Sequence, residues 1–390
     1  MLGVSALLLV SSFSSYAASD PVVLTFSTVG DSRQDPASPD PTTVPVPAQD
    51  QIWLQNTKAW SRIMRSIQAQ KPSMLFFNGD MIMGYGRAAV PTHWSTTAPT
   101  ITQVASTDLV KFYTQYAFWR GMVANLMETG TYIVPVPGNH ETQCNSANQT
   151  DADNQPTCPS GKIAQTENEQ AWAANMGDLI LDTTRLQNMF GAQSPTNFSQ
   201  SSGSADSLTT NQSKLTYSFD FKGAHFAIIN TDPVGKDATA PTAWLAADLA
   251  AAQSRNITHF FVFGHKPAYT YKYLGPSTPA AGLDKAPGTI PLRDAFWNVI
   301  ESYGATYFCG HEHIFNIQQP LGGAYQVLVG SGGSPFDAKT TDTTVNPATD
   351  RSYAWATVSV HQSGKVDINA YGFSDSFGPQ QLIYSTTIAH

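Results

Sequence analysis

The sequence is poor in charged side chains. Only 13% of its 390 residues are Asp, Glu, Lys or Arg, about half of the ~25% usual in soluble proteins. Lys and Arg form no cluster, and the formal net charge is −8. A nucleic-acid-binding surface needs clustered positive charge, so this composition argues against one. A nucleotide-sized anion stays possible, because a bound metal ion can outweigh the overall charge.

Cysteine is also scarce, with three residues in the chain. None of them forms a Cys-x-x-Cys pair, which argues against a thiolate zinc cluster. Cys144 and Cys158 lie in one polar, loop-like stretch, and we predict a disulfide between them, as is common in exported proteins. Cys309 follows an apolar run and is predicted to be a buried, inert thiol.

Long hydrophobic runs are absent as well, since no stretch approaches the ~18 apolar residues of a membrane span. Residues 1–18 combine a short apolar run with small residues around Ala17 and Ala18, which predicts a cleaved signal peptide, although no Lys or Arg precedes the run. The alternative is an apolar N-terminal strand or anchor. We expect a secreted or periplasmic protein whose mature domain is residues 19–390.

The first third of the chain alternates between predicted strands and helices. β-Branched or apolar runs at residues 22–29, 74–77 and 132–136 predict strands, and residues 51–69 and 107–128 have apolar side chains at helical spacing. This order predicts right-handed βαβ units and a sheet of parallel character.

The rest of the chain adds a polar segment and a second set of strands. Residues 142–213 are predicted to be an insertion, either a cap over the site or a solvated decoration, with helices at 165–176 and 179–190. Beyond it we predict a hairpin and strands at 217–221, 225–229, 259–263 and 305–309, helices at 240–252 and 291–303, and a closing sheet from 325–329, 354–361 and 366–371.

Five of the predicted strands end in residues that can bind metal. The five ends carry, in order, Gly30-Asp31, Gly79-Asp80, Gly138-Asn139-His140-Glu141, Gly264-His265 and Gly310-His311-Glu312-His313. Oxygen and imidazole donors without thiolate suit Zn, Fe or Mn, and a carboxylate can bridge two ions. Two ions held close together can polarise a phosphoryl group and generate hydroxide at neutral pH.

This order of motifs, from Asp31 to His313, resembles the calcineurin-like metallophosphoesterase family, relatives of the purple acid phosphatases. The resemblance implies an α/β fold, a four-layer α/β/β/α sandwich of two mixed sheets flanked by helices. It implies that Asp80 bridges two metal ions, and that His140 is not a ligand but the catalytic proton donor to the leaving oxygen. The other implied ligands are Asp31 and His313 for the first ion and Asn139, His265 and His311 for the second.

The sequence departs from the family pattern at the first metal. Many members have a ligand His two residues after the first Asp, where this chain has Arg33, which stays protonated and cannot coordinate. Purple acid phosphatases place a ligand Tyr three residues after the bridging Asp, where this chain has Met83, with Tyr85 two positions beyond. We therefore predict a colourless protein with a looser first site, or one completed by a group such as Asn78.

Arg33 itself is predicted to grip the substrate phosphate through a bidentate contact. The alternative is an ion pair with Asp35 or another carboxylate.

Four further acidic or imidazole side chains are predicted to have supporting roles. Glu141 and Glu312 are expected to orient neighbouring histidines or to accept backbone hydrogen bonds. Asp232 is expected to support a ligand, and His225, on an alternating strand, to be structural.

The predicted function is an exported, metal-dependent phosphoesterase that hydrolyses small phosphate esters, with monoesters favoured by analogy. A phosphodiesterase or nucleotide hydrolase could use the same site. Gly30-Asp31-Ser32 also mimics the nucleophile block of GDSL-type serine esterases, with Ser32 as nucleophile, but the family's other elements are absent from the sequence. A secreted metal-binding protein without turnover is the third alternative.

Overall fold

A computed structural model describes residues 20–33, 57–90, 98–105, 107–145, 158, 161–271, 281–286, 288–338 and 346–388. The predicted signal peptide lies outside the described residues. So do residues 51–56 of the first predicted helix.

The first sheet has six strands in the order β15-β14-β13-β1-β2-β3. Its strands are β1 Val22–Val29, β2 Met74–Phe77, β3 Tyr132–Pro135, β13 Ser352–His361, β14 Val366–Ser374 and β15 Gln381–Ile388. The three N-terminal strands run parallel, and β13 joins β1 antiparallel. The carboxyl ends of β1, β2 and β3 therefore meet at one edge of the sheet.

The second sheet has seven strands in the order β11-β12-β10-β9-β8-β7-β6. They are β6 Thr196–Gln200, β7 Tyr217–Phe221, β8 Ala224–Ile228, β9 His259–Phe263, β10 Thr306–Cys309, β11 Phe315–Gln318 and β12 Gln326–Val329. Strands β8, β9, β10 and β12 are parallel, while β6, β7 and β11 pair antiparallel at the two sides.

The described residues include nine α-helices. They are α1 Thr57–Gln70, α2 Ile101–Ala105, α3 Asp108–Glu128, α4 Asn139–Thr142, α5 Thr166–Met176, α6 Thr183–Phe190, α7 Thr242–Ser254, α8 Ile290–Ser302 and α9 Pro347–Asp350. Thr107 caps the N-terminus of helix α3, because its hydroxyl accepts a hydrogen bond from the Val110 N–H at 3.2 Å. None of the described helices is long and apolar enough to cross a membrane.

Aromatic side chains hold the four layers together. Phe76 of the first sheet stacks on Phe263 of the second with ring centroids 4.0 Å apart. On the outer face of the first sheet, Phe77 packs edge-on against Trp60 of α1 and Trp119 of α3. The outer face of the second sheet is covered by α7 and α8 in a separate apolar cluster. The result is the predicted α/β/β/α sandwich of two mixed sheets flanked by helices.

Two predictions about strands need correction. Residues 325–329, 354–361 and 366–371 do not form one closing sheet, because β12 belongs to the second sheet while β13 and β14 extend the first. Alternation alone cannot assign a strand to one of two sheets. The predictions also missed β11 and β15; residues of β15 are mostly exposed, so they lack the apolar signal of a core strand.

The polar segment at residues 142–213 is tied to the rest of the protein at both ends. Strand β4 (Gln143–Asn145) pairs antiparallel with β5 (Lys162–Ala164), and the Asn145 N–H donates to the Tyr85 carbonyl at 3.0 Å, which ties β4 to the loop after β2. Near the other end, β6 joins the side of the second sheet through β7. The predicted disulfide between Cys144 and Cys158 is present, and Cys309 is buried and free, as predicted.

Candidate metal centre

Three candidate site residues follow strand-end glycines and have a left-handed backbone. Asp31, Asp80 and His311 have φ values of 60°, 54° and 75°, which cost a non-glycine residue on the order of 1 kcal/mol or more each. Hydrogen bonds between neighbouring loops hold them there, because the Asp31 N–H donates to the Gly79 carbonyl at 2.9 Å and the His311 N–H to the Asp31 carboxylate at 3.0 Å. Strain maintained at three strand ends indicates a functional constraint.

Gly79 allows the loops to approach closely. Its φ is 86°, and a Cβ atom at this position would lie 2.6 Å from His265 Nδ1. Any larger residue would therefore displace the imidazole.

Four donors converge in what we call the Asn139 corner, which consists of Asp80, Asn139, His265 and His311. Asn139 Oδ1 lies 2.8 Å from His265 Nε2 and 2.8 Å from His311 Nδ1. His265 Nε2 lies 3.2 Å from His311 Nδ1 and 3.1 Å from Asp80 Oδ1. Ligands at about 2.1 Å from one ion lie roughly 3 Å from one another, so this spacing fits a shared cation.

A second group, the Asp31 corner, consists of Asp31, Asp80 and His313. One ligand atom from each lies within 4.8 Å of the others, and Asp31 Oδ1 is 3.6 Å from His313 Nε2. Asp80 belongs to both corners, as expected of a carboxylate between two ions. The structure thus brings together all six predicted ligands.

Contacts behind the imidazoles aim their other nitrogens into the corners. His265 Nδ1 lies 2.7 Å from the Asn78 carbonyl, and His313 Nδ1 lies 2.6 Å from the Pro335 carbonyl. A carbonyl only accepts, so each Nδ1 donates, and in the neutral imidazole each Nε2 can offer its lone pair to a cation.

His140 lies beside the two corners without belonging to them. Its Nδ1 donates to the Met83 carbonyl, and its Nε2 is 3.6 Å from Asp80 Oδ2. The Tyr85 ring packs on the imidazole with centroids 3.6 Å apart, and the Tyr85 hydroxyl contacts the side-chain amide of Asn139. The imidazole therefore has a fixed orientation, with Nε2 facing the shared carboxylate.

The predictions for Glu141 and Glu312 are confirmed. Glu141 accepts hydrogen bonds from four backbone N–H groups, at Asp80, Met81, Ile82 and Gly138, which links the second and third strand-end loops. Glu312 accepts from the Tyr271 N–H at 2.9 Å. Burial raises the pKa of Glu312 to about 8.

His225 has the structural role that we predicted, whereas Asp232 contacts a neighbour of a candidate ligand and not the ligand itself. Asp232 accepts a 2.6 Å contact from the buried ammonium of Lys266, the residue after His265. His225 is buried between Asp220 and Asp248, at 2.6 and 2.8 Å, within the second sheet.

The electrostatics of the centre favour a cation. Burial raises the pKa of Asp31 well above its usual value, and the Asp80 charge adds to this rise. Burial also raises the pKa of Asp80, but His140 and His265 outweigh it and hold that pKa well below its usual value. Burial lowers the pKa of His265, yet the nearby carboxylates raise it to about 9. Buried carboxylates that compete for protons in this way are the donor set that a metal ion neutralises.

Arg33 lies at the Asp31 corner and faces a carboxylate. Its Nε is 3.8 Å from Asp80 Oδ2, and its Nη1 is 3.5 Å from the Met83 sulfur. The ion pair that we considered as an alternative is therefore made with Asp80. Asp35 lies outside the described residues.

Asn78 does not supply the missing ligand. Its side-chain oxygen accepts from the Thr28 hydroxyl at 3.1 Å, and its amide nitrogen donates to Thr28 and to the Cys309 carbonyl. The prediction that a group such as Asn78 completes the first site is wrong for this residue, because its side chain braces two neighbouring strands instead.

Lys162 is a site-edge residue that the sequence did not indicate. Its ammonium lies 4.8 Å from the centre of the Tyr85 ring. It reaches this position because Lys162 pairs with Asn145 in the β4–β5 ladder, and the Asn145 N–H donates to the Tyr85 carbonyl at 3.0 Å. No motif in the sequence around Lys162 indicates that the pairing of β4 with β5 brings its side chain to the site.

Comparison with known proteins adds information on the fold. No protein-family model and no curated protein match the chain. Among solved structures, a purple acid phosphatase from yellow lupin (Lupinus luteus) seeds is 12% identical with a TM-score of 0.52, and the match covers 96% of this chain. PhoD is 12% identical with a TM-score of 0.50, over 95% of this chain and 73% of PhoD.

The chain spans about half, 55%, of the length of the lupin phosphatase. At this identity the likeness concerns the fold alone. Together with the two sheets and their flanking helices, it shows that the protein has the fold of the calcineurin-like metallophosphoesterases.

Proposed function

We propose that the protein is a metal-dependent phosphoesterase that hydrolyses small phosphate esters. The observation that carries this proposal is that two groups of potential ligands share one buried carboxylate, Asp80. Two cations at such a site would supply the charge that polarises a phosphoryl group and lowers the pKa of water. The donors are carboxylate, amide and imidazole, which suit Fe, Mn or Zn.

Each side chain then has a defined task. Asp31, Asp80 and His313 would hold the first ion, and Asp80, Asn139, His265 and His311 the second. His140 would donate the proton to the leaving oxygen from Nε2, because its Nδ1 is occupied by the Met83 carbonyl. Arg33 would contact a phosphate oxygen, since its guanidinium lies beside Asp80. We favour phosphomonoesters over diesters.

The serine esterase alternative has little support in the geometry. The Ser32 hydroxyl is buried and has no hydrogen-bond partner among the described residues. It lies against Trp60, Ile82 and Trp119, on the side of the strand end that faces α1 and α3. A nucleophilic serine needs a base within hydrogen-bond reach.

Metal analysis of the purified protein, combined with assays on phosphomonoesters and phosphodiesters, tests the proposal. We expect up to two transition-metal ions per chain and turnover of monoesters that EDTA abolishes and Zn, Mn or Fe restores. Activity that survives EDTA would favour a serine esterase. Bound metal without turnover of either ester class would favour a metal-binding protein, and preferential turnover of diesters would favour the phosphodiesterase alternative.

We also propose that the protein is exported. The disulfide between Cys144 and Cys158 supports an oxidising compartment. The test is N-terminal analysis of the protein recovered from the periplasm or medium, where a mature chain beginning after Ala17 or Ala18 is expected. A full-length chain that stays in the reducing interior of the cell would contradict export.

A further inference from the structure

The side chains beside the candidate metal centre form a column that leads away from it. Asp80 contacts the His140 imidazole, the Tyr85 ring lies on that imidazole, and the Lys162 ammonium lies over the Tyr85 ring. If His140 protonates the leaving oxygen, the leaving group occupies the side of the centre where this column stands. The column therefore places a positive charge beside the leaving group.

Two cations thus flank His140 from different directions. Arg33 approaches Asp80 on the side of the Asp31 corner, whereas Lys162 lies beyond Tyr85. A substrate that uses both cations carries one anionic group on the transferred phosphoryl and another on the leaving group.

Lys162 is held where it can act on a ligand. The residue is exposed as a whole, but its ammonium rests on the face of an aromatic ring, which orients a cation without neutralising it. Its strand is fixed by the ladder with β4, whose Cys144 carries the disulfide. The β4–β5 ladder and the ring contact therefore hold the ammonium at the edge of the site.

We propose that Lys162 is a specificity residue that binds an anionic leaving group, so that the preferred substrates are phosphate esters or anhydrides whose leaving group carries its own negative charge. This inference rests on the proposed phosphoesterase function. It excludes phosphates of neutral alcohols as the best substrates. It also accounts for the Lys162–Tyr85 contact, which the metal centre itself does not require.

Three aryl phosphates provide the test: 4-carboxyphenyl phosphate, its neutral methyl ester, and phenyl phosphate. For the unaltered enzyme we expect kcat/KM to be roughly tenfold higher for the carboxylate than for the methyl ester, the effect of one charge-assisted contact. Lys162→Gln should remove this preference, lowering kcat/KM for the carboxylate about tenfold more than for phenyl phosphate, whereas Lys162→Arg should keep it. Added salt should reduce the preference, because the lysine is exposed.

Lys222→Gln is the matched control, since Lys222 also lies over an aromatic ring, 5.3 Å from the centre of Phe221, at the distant β7–β8 turn. Equal losses on all three esters with Lys162→Gln would mean that the lysine only braces Tyr85, and would overturn the inference. So would an enzyme that does not discriminate between the carboxylate and its methyl ester. If the enzyme hydrolyses none of the three esters, the proposed phosphoesterase function is overturned together with the inference. If it hydrolyses all three without preferring the carboxylate, only the inference about Lys162 is overturned.

Discussion

The two corners of the candidate metal centre share Asp80 but differ in how they are built. In the Asn139 corner, four donors lie about 3 Å apart, and Tyr85 and the Asn78 carbonyl brace them from behind. In the Asp31 corner, Asp31, Asp80 and His313 supply three protein donors, with Asp31 Oδ1 3.6 Å from His313 Nε2. The Arg33 guanidinium faces the shared carboxylate there. The Asn139 corner thus has four protein donors, and the Asp31 corner has three.

The difference points to different roles for the two corners. A guanidinium cannot bind a cation and repels one, so we expect it to weaken metal binding in the Asp31 corner. The same positive charge attracts a phosphate. We therefore propose that the Asp31 corner has a lower metal affinity and a higher affinity for the substrate phosphate, and the following experiments test this contrast with the Asn139 corner.

The largest effect is expected from Asp80→Ala, because both corners depend on this carboxylate. We expect loss of both ions and a fall in kcat/KM on the order of 10³-fold or more. Metal content per chain and monoester hydrolysis are the measurements. Two ions retained per chain would contradict the shared role of Asp80.

Asp178→Ala is the control for this variant, since Asp178 is a half-exposed carboxylate paired with Arg120 away from the centre. It should keep its metals and its activity. Thermal unfolding of both variants shows whether the loss reflects the site or the fold.

His140→Ala comes next, and it separates proton donation from metal binding. His140 contacts Asp80 but lies outside both corners, so the variant should keep both ions. The rate for an alkyl phosphate should fall roughly 10²-fold or more, because its leaving group needs a proton, whereas 4-nitrophenyl phosphate should lose much less.

Equal losses on the alkyl and aryl esters would count against His140 as the proton donor. His361→Ala is the control, because His361 pairs with Asp367 at the far end of the first sheet. It should change neither rate.

The sequence was sufficient to predict the elements that reach the site. Strand His259–Phe263 was predicted to the residue, and helix α3 to within one. Their apolar side chains recur at the spacing of the element, which is local information. Gly at each strand end, followed by a carboxylate, amide or imidazole, indicated the candidate site on the same local basis.

The parts that could not be predicted depend on contacts between distant segments. Asn78 has the right chemistry and place in the sequence for a ligand, but its amide bonds to Thr28, which only the β1–β2 pairing reveals. Lys162 reaches Tyr85 through the pairing of β4 with β5. Strand β15 has one exposed face and mixed polarity, so no periodicity marked it.

Arg33→His tests directly whether the guanidinium weakens the Asp31 corner. An imidazole at this position offers a ligand in place of a charge, so we expect the more weakly held ion to bind roughly tenfold more tightly. Stepwise metal loss during dialysis against a chelator is the measurement. Arg33→Gln, which removes the charge without adding a strong ligand, is the control, and both variants should raise KM for a monoester by about tenfold.

The smallest effect concerns colour. The Tyr85 hydroxyl contacts the side-chain amide of Asn139 in the Asn139 corner, so we do not expect it to supply a ligand to the Asp31 corner. The iron-loaded protein should therefore lack a strong tyrosinate-to-iron absorption band, and Tyr85→Phe should leave its visible spectrum unchanged. A band in the unaltered protein that disappears in Tyr85→Phe would make Tyr85 a ligand. The Asp31 corner would then have a fourth protein donor, and the contrast between the two corners would no longer hold.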